Sequence, residues 1–398
     1  MLFVFEKTYR ISYSIYSDNM KIVLVVDYFG NTTNGTTMTA RHLYKSLEAA
    51  GHEVAVITGI GNGWPNVYET GEAFICKVPI ARFFFKNNGF YFGKVKWDVI
   101  KKALEGADLV HFLADFPMER AIKKYCDKQG IKTFAAFHIQ PENATYQLKL
   151  GWCRPLNWLL YHIYRIAFFD KFDHIHCPSN MIANELKRHK YRAQLHVVSN
   201  GIGTHFHRMS VTRPEEDQGY FLVTMVGRIT HEKRQDLVVK ACAYSKYADK
   251  IKLYLFGRGT WSKKITKMAK KKLKNEAFIG FVTHDELIKI LNYSDLYIQA
   301  SDIEIEAISC MEAFACGIVP VISDSRYSAT SQFALTPESV FKAGNYKDLA
   351  KKIDYWYEHP EENKKFARKY AESAGDYDLE KCNHKLIQLF EDYYHGKI

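Results

Sequence analysis

Short apolar segments alternate with helix-length segments along almost the whole chain, and this alternation constrains the fold more than any other feature of the sequence. Each apolar segment is nearly continuous, as in parallel strands that are buried on both faces. A first series of predicted strands lies at 22–26, 54–58, 109–113, 134–137, 174–177 and 197–199. A second series lies at 221–226, 253–256, 278–281, 296–299 and 319–322. We therefore predict an α/β protein with two Rossmann-like, doubly wound domains that face a central cleft.

The domain boundaries follow from the same alternation. We predict an N-terminal, acceptor-binding domain at 20–200 and a C-terminal, nucleotide-sugar-binding domain at 220–378. The linker between them, 201–219, is rich in Gly, His, Arg and charged residues. A helix at about 379–398 is expected to pack back on the N-terminal domain. Residues 1–19 are interpreted as a dispensable extension that need not be native, because the first strand opens naturally after them.

Composition excludes several classes of protein. Hydrophobic residues make up 47% of the 398-residue chain, enough to fill two cores, so a disordered chain is excluded. No apolar run is long enough to span a bilayer, and any membrane contact is expected to be peripheral. The eight cysteines include no C-x-x-C pair, which argues against a zinc cluster or a secreted disulfide framework and favours the cytosol. A net charge of +11 fits anionic lipid or nucleic acid, but no zinc-finger, RRM or KH pattern supports nucleic acid.

The segment 301–317 places two carboxylates eight residues apart across the predicted start of a short helix, which Gly317 would close. Glu304 is expected at the mouth of this helix and Glu312 within it. Unpaired backbone N–H groups in a first helical turn can bind a diphosphate, and a carboxylate beside them can accept hydrogen bonds from two sugar hydroxyls. These features predict a nucleotide-sugar site. By spacing alone, two ordinary solvated carboxylates are an equally good interpretation.

The spacing and its setting resemble the donor-site motif of the retaining glycosyltransferases of family 4, which have the GT-B fold. The resemblance implies that Glu304 contacts the transferred sugar and Glu312 the ribose. It also implies a set of donor-binding residues in the loop and helix start between them: Ile305, Glu306, Ala307 and Ile308. The family commonly has small, glycine-containing residues directly after the first Glu, so this loop is a departure. Glu306 would bring an extra negative charge near the diphosphate unless it points away.

A second strong match follows the first strand of the C-terminal half. The family has an Arg at the end of that strand and a Lys five residues later, which correspond here to Arg228 and Lys233. A planar Arg fork and a compact Lys charge can neutralise a departing diphosphate. The ordinary alternative, a solvated surface cation, suits the neighbouring Arg234 better. Weaker matches to the part of the family that packs the nucleotide base follow the next two strands: Gly257, Arg258 and Val282.

Two further matches lie in the N-terminal half. Gly35 opens a helix after the loop 27–37, where glycine lets backbone N–H groups approach a phosphate, although the family usually has paired glycines there. His138 follows the fourth strand, and the resemblance places a catalytic His at that strand end, although a lone His is more often structural. Glu142 is interpreted either as an acceptor contact or as a loop cap. His111 is expected in the core or behind the site.

The resemblance implies a retaining hexosyltransferase that uses a nucleotide-diphosphate sugar, with a UDP-sugar favoured. The implied acceptor is a lipid or a cell-surface glycan at the cytoplasmic face of the membrane. In the same-face attack thought to operate in the family, the departing phosphate oxygen takes the acceptor's proton, so no metal or other cofactor is expected. The D-x-D pattern at 376–378 is discounted because it lies among helical residues. The alternatives are a nucleotide-sugar epimerase of the same fold and a non-catalytic, membrane-associated glycan-binding subunit.

Aromatic and basic residues are interleaved in two segments, 81–94 and 152–169. This mixture suits the headgroup level of an anionic membrane. Buried packing is the alternative: most of 156–169 is expected to be core helix, which leaves its flanks and the loop 82–94 for lipid contact. The lysines of 263–274 form a second basic face, most simply explained as a solvated helix.

Overall fold

A computed structural model of the protein describes residues 19–30, 35–74, 91–147, 150–151 and 153–398. Four features singled out in the sequence lie wholly or partly outside these residues. They are the extension 1–18, positions 31–34 of the loop 27–37, positions 81–90 of the aromatic and basic segment 81–94, and Trp152.

The first sheet has seven strands. They are β1 (Lys21–Val25), β2 (Glu53–Thr58), β3 (Val67–Glu69), β4 (Leu109–Phe112), β5 (Lys132–Ala136), β6 (His174–Cys177) and β7 (Gln194–Val197). Their order is β3-β2-β1-β4-β5-β6-β7. The central strand β1 pairs in parallel with both β2 and β4, with Ile22 opposite Val54 and Leu109. The apolar runs of β1, β2 and β4 are therefore buried between two layers of helices, as their composition predicts.

The second sheet has six strands, and two further strands form a small separate sheet. The six are β8 (Phe221–Val226), β9 (Ile251–Phe256), β10 (Phe278–Gly280), β11 (Leu296–Gln299), β13 (Val319–Ser323) and β15 (Val340–Phe341), and the pair is β12 (Ile303–Glu304) and β14 (Tyr327–Ser328). The order is β10-β9-β8-β11-β13-β15. From the edge to the fourth strand, both sheets therefore follow the doubly wound 3-2-1-4 order. The prediction of two parallel-sheet α/β domains is confirmed.

The described helices cover the sheets or connect their strands. They are α1 (Gly35–Ala49), α2 (Trp97–Leu104), α3 (Pro117–Gln129), α4 (Pro141–Gln147), α5 (Arg154–Ala167), α6 (Asn180–Arg188), α7 (Gln235–Tyr244), α8 (Ser262–Lys272), α9 (His284–Tyr293), α10 (Ile308–Ala315), α11 (Tyr346–Glu358), α12 (Pro360–Ser373) and α13 (Leu379–Tyr394). None of the helices in this part of the chain is long and apolar enough to cross a membrane.

Local sequence explains several helix ends. The Thr283 hydroxyl accepts a hydrogen bond from the Glu286 backbone N–H and Glu286 bonds back to the Thr283 backbone, a capping box that starts α9. Ser179 caps α6 through the backbone N–H of Ile182. Gly317 follows α10 with φ +83°, the left-handed turn predicted for it.

The chain divides into two compact units. The first contains the described part of Met1–Arg82 together with Tyr91–Phe134 and Asn383–Ile398, and the second contains Ala135–Cys382. The predicted boundaries at 200 and 220 stay a prediction. Within the first unit, Phe390 of α13 packs against the rings of His111 and Phe134, at centroid distances of 4.9 Å and 5.1 Å.

Two local predictions were wrong. The strand predicted at 197–199 corresponds to β7, which lies at Gln194–Val197. Its polar and apolar residues alternate and are partly exposed, so they give no continuous apolar signal in the sequence. The segment 156–169 is not mainly core: α5 buries Asn157 and Tyr161 but leaves apolar side chains on its other face in solvent. An amphipathic helix whose exposed stripe is apolar looks, in sequence, like a buried one.

Candidate active site

Glu304 and Lys233, two predicted catalytic residues, form a direct ion pair. Lys233 ends a short 3₁₀ helix (His231–Lys233) after β8, and Glu304 ends β12. The Lys233 ammonium and the Glu304 carboxylate are 18% and 12% exposed, so the pair is partly shielded from water. Gln299, at the end of β11, donates a second hydrogen bond of 2.9 Å to the same Glu304 oxygen. Within the described parts of the chain, the hydrogen bonds and ion pair of Glu304 involve one carboxylate oxygen, and the second oxygen can accept further hydrogen bonds.

Glu304 was expected at the mouth of the helix, and in the structure it lies four residues before the first residue of α10. The helix α10 begins at Ile308, and Glu304 lies in the two-residue strand β12 that precedes it. The structure therefore separates the carboxylate from the helix start by a three-residue loop, 305–307. Sequence periodicity misses such a short strand because two residues carry no recognisable alternation.

Glycine is required where the loops after β8 and β9 meet. A Cβ atom on Gly257, whose φ is +147°, would collide with the carbonyl oxygen of Gly227. A Cβ on Gly259 would likewise collide with the carbonyl oxygen of Ile229. The two loops are therefore in backbone contact, which brings Arg228 beside the end of β9. The predicted role of Gly257 in donor binding stays a prediction, but its close packing is explained.

Arg234, which was expected to be solvated, is the more buried of the two arginines after β8. The Arg228 side chain is 51% exposed and approaches Glu232 at 3.4 Å. Arg234 is only 20% exposed and pairs with Asp302 at 2.9 Å and Asp236 at 3.2 Å. The interpretation of Arg234 as a solvated surface cation was therefore wrong. Arg234 anchors the loop before the Glu304 motif, whereas Arg228 projects a cation that can reach a ligand.

Glu306 points away from the start of α10, which answers the question raised by the altered motif loop. Its carboxylate is 3% exposed and accepts hydrogen bonds from Asn200, at 2.6 Å from the side-chain amide and 3.1 Å from the backbone N–H. Burial raises the pKa of Glu306 to about 7, while the hydrogen bonds from Asn200 act in the opposite direction. Burial thus disfavours the negative charge of the extra acidic residue, and its carboxylate is directed to Asn200.

The loop between Glu304 and α10 contains backbone strain. Ala307 is the N-cap of α10 and adopts φ +66°, ψ 65°, a left-handed conformation that L-residues other than Gly, Asn and Asp rarely adopt. The backbone carbonyl of Ile305, two residues before Ala307, accepts a hydrogen bond of 2.6 Å from the Ser179 hydroxyl. The loop is therefore held at Ile305 by Ser179 and at Glu306 by Asn200.

Glu312 lies in the middle of α10 with a half-buried carboxyl group. Desolvation raises the pKa of Glu312 to about 7. Within the described residues its carboxylate has no ion pair or hydrogen bond, in contrast to Glu304. The Glu312 carboxyl group can therefore accept hydrogen bonds from the hydroxyls of a polyol.

The remaining predicted donor residues of this unit surround the ends of β9 and β10. Arg258 is exposed and lies 5.5 Å from the centroid of the Phe281 ring. Val282 packs on a small cluster formed by Leu222, Tyr254 and Phe256. The exposed pair of an Arg fork and an aromatic ring is a surface on which a planar base can stack.

Comparison with known proteins agrees with this geometry. Residues 211–373 match the family model "Glycosyl transferases group 1" and residues 33–206 match "Glycosyltransferase Family 4". The α-monoglucosyldiacylglycerol synthase of Streptococcus pneumoniae is 25% identical over 319 residues, which cover 76% of this chain and 71% of the relative. The chain belongs to glycosyltransferase family 4.

Solved structures with the GT-B fold cover nearly the whole of this family 4 protein. Sucrose-phosphate synthase from Thermosynechococcus elongatus has a TM-score of 0.73 at 16% identity and covers 95% of this chain and 100% of its own. Anabaena HepE, solved in complex with UDP and glucose, has a TM-score of 0.70 at 13% identity and covers 94% of this chain and 100% of its own. The predicted GT-B fold is thereby confirmed.

The structure shows where two predicted site residues of this family 4 chain, His138 and Gly35, lie, and their roles in catalysis and donor binding stay predictions. His138 is partly buried after β5, with its ring 5.6 Å from that of His176 in an edge-on contact. Gly35 is the exposed first residue of α1 in the other unit, and a Cβ there would meet nothing within 4 Å. Unlike Gly257, it is not required by packing. Both assignments stay predictions.

The expected core position of His111 and the interpretation of Glu142 can also be compared with the structure. His111 is fully buried on β4. Glu142 is buried in the first turn of α4 and accepts a hydrogen bond of 3.2 Å from the Tyr161 hydroxyl. Desolvation raises its pKa. This placement favours the structural interpretation of Glu142 over an acceptor contact.

Sequence reasoning missed four residues that position the Glu304 loop. They are Ser179, Asn200, Gln299 and Arg234. Gln299 carries a recoverable signal, because a polar residue at the carboxyl end of a buried strand lies where ligands bind in such sheets. Ser179 and Asn200 carry none, since each is more than a hundred residues from its partner in the loop.

The described residues contain no group of three or more His, Cys, Asp and Glu side chains arranged to hold a metal ion. The D-x-D segment is engaged locally: Asp376 lies in a 3₁₀ helix (Ala374–Tyr377), and Asp378 accepts a hydrogen bond of 2.9 Å from the Lys381 backbone.

Proposed function

We propose that this family 4 protein is a retaining glycosyltransferase that moves a hexose from a UDP-sugar to a lipid acceptor at the cytoplasmic face of the membrane. The observation that carries the proposal is the Glu304 carboxylate, which Lys233 and Gln299 hold through one oxygen, so that the second oxygen can accept hydrogen bonds from a ligand. A purely structural role for the Lys233–Glu304 ion pair would not explain the partly buried Glu312 carboxyl in α10 or the exposed Arg228 guanidinium after β8.

In the proposed reaction, Glu304 accepts hydrogen bonds from hydroxyls of the transferred sugar, and Glu312 accepts them from the ribose. The bond between the sugar's anomeric carbon and the diphosphate oxygen breaks. The acceptor hydroxyl attacks that carbon from the same face and gives its proton to the departing diphosphate. Arg228 and Lys233 stabilise the negative charge that develops on the leaving group, which is the largest contribution a fixed cationic site can make.

The proposed chemistry assigns charge neutralisation to Arg228 and Lys233, so it requires no metal. We expect transfer to persist in excess EDTA. A loss of transfer in EDTA that Mg²⁺ restores would show that the two cations are not sufficient and that this part of the proposal is wrong.

Support for a lipid acceptor comes from the curated relative, whose name describes an α-linked glucolipid. An α-linked product from an α-linked nucleotide sugar corresponds to retention of configuration. The exposed stripe of α5 supports the membrane location, because four apolar side chains lie on one helical face. They are Trp158, Leu159, Ile163 and Ile166, which are 57%, 47%, 42% and 55% exposed.

Turnover tests the enzymatic part of the proposal. The purified protein is incubated with a panel of UDP- and GDP-sugars, with and without diacylglycerol or a sterol in mixed micelles, and the product's anomeric configuration is read by NMR. We expect transfer of one hexose from a UDP-sugar to a lipid with an α linkage. The variant Glu304→Gln should lose about 10²–10³-fold in kcat. The matched control Glu276→Gln changes an exposed glutamate and should retain activity.

Three results would change the assignment. Nucleotide binding without turnover of any donor would favour the non-catalytic glycan-binding subunit. Conversion of one nucleotide sugar to its epimer without an acceptor would favour the epimerase. Transfer with a β-linked product from an α-linked donor would overturn the retaining mechanism.

Sedimentation with liposomes tests the membrane part separately. Binding to vesicles with anionic lipid should exceed binding to neutral vesicles and should fall at high salt. The variants Trp158→Gln and Ile166→Gln should weaken binding, whereas Leu335→Gln, which replaces a comparably exposed apolar residue, should not. Equal binding of all variants to both vesicle types would contradict a role for α5.

A further inference from the structure

We infer that Glu306 is a positioning residue: its anchorage to Asn200 holds the 305–307 loop in the strained conformation that places Glu304 and the start of α10 for the donor. This inference rests on the proposed function for its catalytic consequence. Its structural content, the anchorage itself, can be tested in a protein without turnover.

The anchor is specific in its geometry. Both oxygens of the buried Glu306 carboxylate lie within 3.2 Å of the Asn200 backbone nitrogen, and one lies 2.6 Å from the Asn200 side-chain nitrogen. Asn200 therefore donates to Glu306 with both of its N–H-bearing groups. A carboxylate that only filled space in a core would not be matched by two convergent donors.

The other end of the anchor is itself fixed. The segment after Asn200 continues through Gly201 to Ile202, whose backbone N–H and carbonyl bond to Tyr377 and Leu379. Gly201 has φ +73°, and a Cβ there would come within 2.6 Å of the Leu379 Cα. Asn200 thus leads directly into a backbone segment that is paired with 377–379 and tightly packed against it. It provides a rigid point against which the loop can be held.

The strain lies directly after the anchored residue. Ala307 occupies the left-handed region at φ +66°, which costs an L-residue the equivalent of about a five- to thirty-fold loss in population. Strained residues persist where the surroundings over-determine them, and such residues are concentrated at functional sites. Here Glu306 and the Ser179 bond to the Ile305 carbonyl fix the two residues before Ala307.

The consequence concerns the position of two groups. Glu304 lies two residues before Glu306, and the free N–H groups of the first turn of α10 follow Ala307. If the loop relaxed, the Glu304 carboxylate would lose its fixed direction and the helix start would turn. We therefore expect loss of the anchor to weaken the use of the donor and to leave acceptor binding unchanged.

Four variants test the inference. Glu306→Ala should lower kcat/KM for the nucleotide sugar about five- to thirty-fold, with an unchanged KM for the acceptor. Glu306→Gln keeps an acceptor for Asn200 and should stay within about threefold of the parent. Glu306→Ala combined with Ala307→Gly should regain most of the loss, because glycine adopts the left-handed conformation without penalty. Ala307→Gly alone supplies the baseline with which the double variant is compared.

Hydrogen exchange measured by mass spectrometry supplies a readout that does not need turnover. Peptides that cover 303–312 should exchange faster in Glu306→Ala than in the parent or in Glu306→Gln. The matched control Glu276→Ala should leave this exchange unchanged. If Glu306→Ala does not fold, Asn200→Ala, which removes the 2.6 Å donor and leaves the carboxylate in place, is measured in the same way.

The outcomes separate this inference from the proposed function. Faster exchange in Glu306→Ala in a protein that turns over no donor would support the anchor and reject the enzyme. Unchanged exchange and unchanged kcat/KM in an active enzyme would overturn the anchor alone. Loss of activity that tracks loss of thermal stability, with no recovery on Ala307→Gly, would also overturn it, because a merely structural role predicts that pattern.

Discussion

In each sheet, side chains that follow two central strands approach one another, but the two sheets have different residues at these positions. In the first sheet, Asp27 follows β1 and Glu119 lies in the first turn of α3 after β4, and these two buried carboxyls face each other. In the second sheet, Lys233 follows β8 and Glu304 follows β11, and they form an ion pair. Because both sheets share the 3-2-1-4 strand order, the topology itself makes groups after the two central strands meet.

The difference lies in how each pair neutralises its charge. Within the described residues the acid–acid pair forms no ion pair with a cation, and burial disfavours the charged form of both carboxyls. Desolvation raises the pKa of Asp27 to about 6 and that of Glu119 well above its ordinary value. The Asp27 carboxylate also accepts a hydrogen bond of 2.6 Å from the Gly93 backbone. The first pair therefore contacts a loop through Gly93, whereas the second is an ion pair between side chains of opposite charge.

The largest expected effect removes the cation from the second pair. Lys233→Met should lower kcat about 10²–10³-fold, because it leaves both Glu304 and the departing diphosphate without their nearest positive charge. The measurement is steady-state transfer with a UDP-sugar, and Lys267→Met, an exposed lysine on α8, is the matched control. Equal activity of both variants would show that the Lys233–Glu304 pair has a structural role and not a catalytic one.

The next effect concerns the proton held by the first pair. A carboxyl whose pKa is raised in the folded state binds more protons there than in the unfolded state, so the free energy of unfolding falls as pH rises. For Asp27, whose pKa moves from 3.8 to about 6, the loss is on the order of 3 kcal/mol as pH rises through this window. Urea melts at pH 4 and pH 7 should show most of this loss.

The variant Glu119→Gln separates the contributions of the two carboxyls. Its amide does not titrate, so the part of the pH dependence that comes from Glu119 should disappear and the part that comes from Asp27 should remain. The exposed control Glu276→Gln should keep the parent's dependence. An unchanged pH dependence in Glu119→Gln would contradict a contribution from Glu119.

A glycine exchange compares the loops after the strands of the two sheets. Gly257→Ala should destabilise the protein by about 2 kcal/mol, because the new Cβ collides with the Gly227 carbonyl at a φ that favours glycine. Gly35→Ala should change the free energy of unfolding by less than about 0.5 kcal/mol, since nothing lies within 4 Å of its Cβ. Thermal melts of the two variants decide this, and similar losses in both would refute the difference in packing.

The smallest effect lies at the helix beside Val282. Thr283→Ala removes one half of the capping box of α9 and should cost about 1 kcal/mol. Thr266→Ala, inside α8, should be neutral or slightly stabilising, because alanine is the better helix former there. Chemical denaturation of both variants measures the difference, and an equal response would show that the cap contributes nothing.

Sequence patterns were sufficient for the fold because its signals are local and repeated. Several central strands were predicted at or close to their observed bounds, as with 174–177 and 221–226, because continuous apolar runs between helices have few other interpretations. The pattern failed where a strand was too short or too polar, as at β7 and β12. It also failed on α5, since an exposed apolar stripe and a buried one have the same period.

The candidate site was only partly readable for a different reason. Glu304, Lys233 and Arg228 could be named from their spacing and from the resemblance to family 4. The direct Lys233–Glu304 contact, the burial of Arg234 and the direction of Glu306 could not. Each depends on residues far apart in the chain, and a side chain's partner across such distances has no periodic signal.

The sequence by itself thus determined the class of fold, the family and the residues from which a donor site can be built, because apolar periodicity and motif spacing act over short stretches of chain. Only the tertiary structure decided the charge state and direction of those residues. Burial raises the pKa of Glu306 to about 7 although the hydrogen bonds from Asn200 act in the opposite direction, and Glu304 is paired because Lys233 reaches it from the 3₁₀ helix after β8. Desolvation and pairing are properties of the assembled core, and the linear order of residues does not contain them.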